Sequence, residues 1–300
     1  MDYGKIAKRA LEITWRHRAL WLFGFLLALF GGGAGGGGAQ GLQYRIDQSE
    51  LARPEWALGL ALFVLVVVFV LCVLAVVLNN VSRGALIGMV CEVEETGDTS
   101  VRSGWRSGSS RLWSLIGIDL ITVIPAVIAA MALMALALAP LLLALGQRSA
   151  LTARGILLTV VLGLAVVLVL IVAGTALGIV REFAYRHCVL EGKGVWGSIR
   201  EAYRMVRANL QHAAVMWLVL FGIDLAASVV ALPLALVGFG LAGGAGAAVY
   251  AATQSGASAI VVGLMLAVPV LLVMAVVGGV YLAFRSAAWT LAYGELPAQS

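Results

Sequence analysis

The chain has 300 residues, of which 62% are hydrophobic and only 12% charged, and its mean hydropathy is +1.02. Several uninterrupted apolar runs of more than 20 residues exclude a soluble domain, because a bilayer needs such runs and a water-soluble core does not. The net charge of +5 does not signal nucleic acid, since the basic residues gather at the ends of the apolar runs, where anionic lipid headgroups would lie.

Residues 2–18 read as a first basic helix, with Ile6, Ala7, Ala10, Leu11 and Thr14 on one side and Lys5, Lys8, Arg9, Glu12 and Arg16 on the other. The apolar run Ala19–Phe30 follows, then the glycine tract at 31–38. A basic start and a short apolar run also fit a signal peptide. The 18-residue amphipathic opening favours a retained helix with a glycine-rich outer end. Gln40–Glu55 reads as a polar loop and Trp56–Leu78 as a plain transmembrane helix. Asn79–Arg111 is a polar passage with an acidic knot (Glu92, Glu94, Glu95, Asp98), followed by Arg102, Arg106 and Arg111.

Leu112–Gly146 has no basic residue, and as a straight helix its 35 residues would reach about 52 Å, too long for one upright span. Pro125 is expected to kink it and Pro140 to mark its outer end. Gly155–Val180 is the fourth span. Ala213–Leu236, interrupted by Pro233, is the fifth, and a small-residue loop follows it. Ala257–Phe284 is the sixth.

The longest polar passage, Arg181–His212, joins two of these spans and carries six of the twenty Lys and Arg residues. Within it, 198–211 reads as an amphipathic helix. Ile199, Ala202, Tyr203, Val206 and Leu210 share one face, and Arg200, Arg204 and Arg207 take the other. Ser198 and Glu201 have capping-box spacing. A basic helix lying at a membrane surface is the expectation.

Loop charges orient the chain. With six spans, sixteen basic residues fall on the side of the termini and four on the other (Arg45, Arg53, Arg148, Arg154). The positive-inside rule then places the N- and C-termini in the cytoplasm. Arg makes up seventeen of the twenty basic residues and Ala, Gly, Leu and Val abound, a composition that hints at a GC-rich bacterial genome and hence at a bacterial plasma (inner) membrane. The three cysteines, Cys72, Cys91 and Cys188, supply no disulfide framework.

An internal repeat accounts for the regularity. Arg83, Arg181 and Arg285 each close an even-numbered helix, 98 and 104 residues apart. At the same offset of 98, Val101, Arg102, Trp105, Arg106 and Leu112 match Ile199, Arg200, Tyr203, Arg204 and Leu210. The expected fold is therefore an all-α integral membrane protein of six transmembrane helices, arranged as three repeated hairpins with basic interfacial helices on the cytoplasmic side. It forms one membrane domain over 1–300, with repeat units of about 1–96, 97–194 and 195–296.

Three units of about one hundred residues resemble mitochondrial carriers in number only, since no Pro-x-[Asp/Glu]-x-x-[Lys/Arg] motif is present. The passage GVWGSIREAYRMVRANL at 194–210, with its weaker copies after even-numbered helices, resembles uncharacterised bacterial six-helix proteins related to the membrane domain of glycerophosphoryl diester phosphodiesterases. That resemblance implies a membrane domain. The family's soluble catalytic barrel has no counterpart in these 300 residues, so hydrolase activity does not carry over.

Asp119 and Asp224 are the sharpest chemical signals. Each sits in a Gly-Ile-Asp-Leu tetrapeptide, 117–120 and 222–225, inside an odd-numbered helix. An ionisable group at membrane depth is costly and usually faces a partner or a wet cavity. The two acids could be a proton- or cation-linked pair in a transporter. They could be the dyad of an intramembrane protease, although Phe-Gly-Ile-Asp departs from the Gly-x-Gly-Asp that such a site needs. Or they could be structural, each held by an arginine such as Arg111 or Arg207 or by a neighbouring helix. The histidines His17, His187 and His212 lie at the cytoplasmic boundary without metal-ligand spacing, so no metal and no cofactor is expected. Gly174/Gly178 and Gly240/Gly244 have the spacing of close helix packing.

The function expected on these grounds is non-enzymatic: a membrane interaction or lipid-organising module. Its surface-basic residues are Lys5, Lys8, Arg9, Arg200, Arg204 and Arg207, and its partners are anionic lipid headgroups and a membrane protein or a second copy of itself. The alternative is a small transporter or channel working through Asp119 and Asp224.

Overall fold

A bilayer offers no water to backbone amides, so apolar runs of this length must satisfy their hydrogen bonds internally. The computed structural model describes residues 3–31, 55–146 and 153–295, and every element among them is a helix. In chain order these are α1 (Tyr3–Arg16), α2 (Ala19–Phe30), α3 (Glu55–Thr96), α4 (Val101–Ser110), α5 (Leu112–Gly146), α6 (Ala153–Leu190), α7 (Val195–Ala208), α8 (Leu210–Thr253) and α9 (Gly256–Glu295). The glycine tract beyond Gly31, the loop at 40–54 and Arg148 lie outside the described residues.

Five helices, α3, α5, α6, α8 and α9, are long and apolar enough to cross a membrane, and the most apolar stretch of each is at most 11% buried within the chain. Surface this apolar, left uncovered along whole helices, is suited to lipid rather than water. The count of six spans turns on α2. Its 12 residues reach about 18 Å, short of a hydrocarbon core of about 30 Å.

The helices overrun the ends expected from hydropathy. The third helix continues past Leu78 to Thr96, α6 past Val180 to Leu190, and α9 past Phe284 to Glu295. Pro140 does not end α5, which carries both Pro125 and Pro140 inside it. The small-residue stretch after Leu236 is not a loop either, because α8 runs through Pro233 and its glycines to Thr253. Without water to take the freed amides, poor helix formers still stay helical, whatever their propensity in solution.

The described residues fall into two compact units, those of 1–112 with 214–297 and those of 113–213. The first unit packs around the polar ends of its long helices. In α3 the residues from Leu62 to Leu74 are largely exposed, whereas Val81, Ala85, Leu86, Met89 and Val90 are buried. Ile6, Ala10 and Ile13 of α1, Leu20 and Phe23 of α2, and Ala283, Ala287 and Trp289 of α9 complete this core. Glycines allow the closest approaches. A Cβ added to Gly24 would stand 2.1 Å from the Gly279 carbonyl oxygen, so α2 and α9 meet backbone to backbone. The indole of Trp21 donates to the Thr14 carbonyl at 2.7 Å and ties α2 back onto α1.

In α4, Gly104 and Gly108 form a buried face against α3. A Cβ at Gly108 would come 2.1 Å from the Val81 carbonyl oxygen, and one at Gly104 would meet Met89 and Phe23. These glycines weaken α4 as an isolated helix, yet only a bare backbone lets it lie this close to α3. Ser100 caps it by accepting from the Ser103 amide at 3.2 Å.

The second unit repeats part of this construction. The end of α6 is buried at Phe183, Ala184, Tyr185, Arg186 and Cys188, and α7 folds back with Ser198, Ala202 and Val206 buried. Both reversals, α3 to α4 and α6 to α7, use a glycine at positive φ, Gly97 at 79° and Gly192 at 69°. The capping box expected at Ser198 is not formed. Helix α7 starts earlier, at Val195 with Gly194 as its cap, and Ser198 instead donates to the Lys193 carbonyl at 3.3 Å.

Candidate functional site

Asp119 and Asp224 occupy near-identical settings in their separate units. On α5, the Asp119 carboxylate accepts a hydrogen bond from the Tyr185 hydroxyl of α6, and Arg181 Nη1 lies 3.9 Å away. On α8, Asp224 accepts from the Tyr281 hydroxyl of α9, and Arg285 Nη1 stands 3.7 Å from its other oxygen. Arg181 and Tyr185 are four residues apart on one helix, as are Tyr281 and Arg285, so each couple shares a helix face. Their order along the chain is reversed between the two units. Neither acid is fully buried within the chain, their side chains being 25% and 31% exposed.

The arginine partners are therefore not Arg111 or Arg207. Arg111 precedes Asp119 by eight residues and Arg207 precedes Asp224 by seventeen. Neither arginine lies on the helix of its acid, since Arg111 falls between α4 and α5 and Arg207 belongs to α7. The charge comes instead from the next long helix in the chain, Arg181 of α6 for Asp119 and Arg285 of α9 for Asp224. Arg181 and Arg285 stood out in the sequence as repeat markers. The helical Arg/Tyr spacing was the signal for their second role.

Chemically, each carboxylate is balanced within the chain by one guanidinium and one phenol. Such an arrangement fixes two helices at a common height. It gives each acid its own Tyr and Arg, whereas a proteolytic dyad requires two carboxylates to share a proton.

The surface helices present a different chemistry. On α7, with Ser198, Ala202 and Val206 turned inward, Arg200, Tyr203, Arg204 and Arg207 face out together with Trp196, which is 72% exposed. Tyr203 and Leu210, which share the apolar face by periodicity, are exposed. Small residues, not aromatic ones, make the contact with the unit, because α7 lies close to it. Helix α4 matches this pattern, with Arg102, Trp105 and Arg106 exposed opposite its buried glycines. Val101, Arg102, Trp105, Arg106 and Ser109 line a shallow open depression. On α1, Lys5, Lys8 and Arg9 are exposed, as are Leu11 and Trp15.

Arg9 is engaged inside the chain: its guanidinium donates to Glu94 at 3.0 Å and to Glu12 at 3.2 Å. The hydrogen bond to Glu94, reinforced by that carboxylate's charge, raises its pKa above the ordinary arginine value. With His17 3.7 Å from Asp98, the acidic knot thus serves to hold α1 against the end of α3.

One further cluster was not anticipated. His187 Nδ1 lies 3.0 Å from Glu191 and 3.8 Å from Glu201, and these three ligand atoms fall within 4.8 Å of one another. By donor type the trio could hold a divalent cation. Lys193 already bridges it, with its ammonium 2.6 Å from Glu191 and hydrogen-bonded to Glu201. Those two bonds, the Glu191 one larger, raise the Lys193 pKa above its ordinary value. His187 and Glu191 are four apart on a helix, a spacing visible in the sequence, but Glu201 reaches them only through the Gly192 turn. Neither Cys91 nor Cys188 belongs to this cluster.

No curated protein and no solved structure matches the chain. Nothing in the comparisons links it to the membrane domain of glycerophosphoryl diester phosphodiesterases, so of that resemblance only the uncharacterised family stands. Residues 13–292 match a family of unknown function, DUF7544. That match spans nearly the whole apolar chain, from within α1 to within α9, and the protein belongs to this family.

Proposed function

We propose that this protein is a non-catalytic module of a bacterial inner membrane that engages and organises anionic lipids through basic, aromatic faces on its cytoplasmic side. The observation that carries this reading is the outward face of α7, where Arg200, Arg204 and Arg207 stand beside exposed Trp196 and Tyr203. Arginine with Trp or Tyr is the composition favoured at a membrane–water interface, the cation meeting headgroup phosphate and the ring lying at headgroup level. Six spans in three hairpins with cytoplasmic termini fit the sixteen-to-four distribution of basic residues. The paired settings of Asp119 and Asp224 support a structural role for both acids and speak against a transporter built on them.

The test is the full chain reconstituted in liposomes containing spin-labelled phosphatidylglycerol or spin-labelled phosphatidylcholine. An immobilised population in clear excess for phosphatidylglycerol, shrinking as salt rises, is the expected result. Equal immobilisation of the two lipids would remove the reading.

A further inference from the structure

The arginines of this chain divide into two kinds. Arg181, Arg186 and Arg285 each face a carboxylate of the chain within 4 Å. Arg102 and Arg106 on α4, and Arg200 and Arg204 on α7, are exposed, and their guanidinium groups make no ion pair or hydrogen bond among the described residues. Each couple is spaced i,i+4 and carries an exposed aromatic side chain one residue before its second arginine, Trp105 at 49% and Tyr203 at 55% exposure. The two couples lie 98 residues apart in register.

Packing fixes which way these faces point. Helix α4 is held by Gly104 and Gly108, where a Cβ at Gly108 would meet the Val81 carbonyl oxygen at 2.1 Å. Rotation about its own axis would press a side chain into that backbone. Helix α7 is held by buried Ser198, Ala202 and Val206. The acid on α7, Glu201, is already bonded to Lys193. On α4, the Ser109 hydroxyl is taken up by the Arg106 carbonyl.

We infer that Arg102 with Arg106, and Arg200 with Arg204, form two equivalent seats, each for the phosphate of one anionic lipid headgroup, with Trp105 or Tyr203 lying along its glycerol and upper chain. This rests on the lipid-engaging reading above and adds discrete sites to it. Neighbouring i,i+4 side chains leave the helix about 6 Å apart, a gap that one phosphate bridges when each guanidinium turns a fork toward it. The aromatic ring and Val101, 43% exposed, would have nothing to cover on a free phosphate, whereas a lipid supplies that apolar part. Both helices lead at once into long apolar helices, α5 from Leu112 and α8 from Leu210, so the seats stand where headgroups are.

The experiment is native mass spectrometry of the purified full chain, titrated with phosphatidylglycerol and, separately, with phosphatidylcholine. Wild type should hold two phosphatidylglycerol molecules more tightly than any phosphatidylcholine. R102Q/R106Q and R200Q/R204Q should each lose one of them, with about thirtyfold weaker binding at the altered seat. W105A and Y203A, which keep every charge, should weaken the lipid severalfold, and excess inorganic phosphate should displace little. Unchanged adducts in the combined four-arginine variant, still folded by circular dichroism, would overturn the seats while leaving a general lipid preference intact. Displacement by inorganic phosphate, with W105A and Y203A binding as wild type, would also overturn them and point to a soluble phosphate. A wild type with no preference for phosphatidylglycerol would remove the lipid-engaging reading itself.

Discussion

Removing the charge at Asp119 tests whether it is a structural acid. Arg181 lies 3.9 Å from the carboxylate, with the two side chains 31% and 25% exposed. At an effective dielectric of about 20 that distance corresponds to a raw attraction of about 4 kcal/mol. Partial exposure screens most of it and leaves about 1 kcal/mol for the pair. The Tyr185 hydroxyl donates to the same carboxylate, and a hydrogen bond to a charged acceptor contributes about 1.5–3 kcal/mol. Asp119→Asn keeps an oxygen for Tyr185 but leaves Arg181 unbalanced near membrane depth. A loss of about 1–3 kcal/mol is therefore expected, and the same at Asp224→Asn beside Tyr281 and Arg285. The assay is denaturation of detergent-solubilised protein, run as a double-mutant cycle of Asp119→Asn with Arg181→Gln, for which a coupling of about 1 kcal/mol is expected. Proton uptake into liposomes is measured alongside. Zero coupling with an unchanged or more stable Asn variant would refute the pairing argument. Uptake by wild type that Asn abolishes without loss of stability would make the acids carriers.

The glycine contacts give a second expectation: Gly108→Ala and Gly24→Ala each place a methyl 2.1 Å from a backbone oxygen and should cost about 1–3 kcal/mol of stability in the same assay. Gly163→Ala, with nothing within 4 Å of the new methyl, should be neutral or stabilising, and equal losses at all three sites would contradict the close approaches. At Lys193 the pKa is raised by Glu191 and Glu201, so its contribution to folding is complete below the ordinary lysine value and fades only as pH rises through the higher folded value. The stability difference between wild type and Lys193→Met should thus be flat from pH 8 to 9, above the range in which the neighbouring His187 imidazole changes charge, and shrink only in strong alkali, and a loss between pH 8 and 9 would contradict the assignment. For topology, cysteines placed at Tyr250 and Arg204 in a background lacking native cysteines should be labelled from opposite sides of the membrane. Labelling from one side would show that α8 does not cross the membrane between them.

What the sequence made legible follows from what a bilayer demands. Long apolar runs, their flanking arginines and the first basic helix could be read because hydropathy and charge report directly on lipid contact. The helix ends could not. Asn79–Glu95, Arg181–Leu190 and Arg285–Glu295 are polar enough to look like loops, yet each continues an apolar helix. Their polar and small side chains are taken up by neighbours: Asn79 accepts from Arg83, Glu94 binds Arg9, and Ala287 and Ala288 are buried. Hydropathy measures the preference for lipid, and these segments are buried in protein instead. The same blindness explains α4 and α7. By periodicity, 198–211 is an amphipathic surface helix with Tyr203 on its apolar face, and α4 a weaker copy of it. In the fold the inner face is claimed by Gly104 and Gly108, or by Ser198, Ala202 and Val206, because only small side chains allow a surface helix to lie against another backbone. Trp105, Trp196 and Tyr203 are then left outward beside arginine, on the faces that the proposed lipid seats would use.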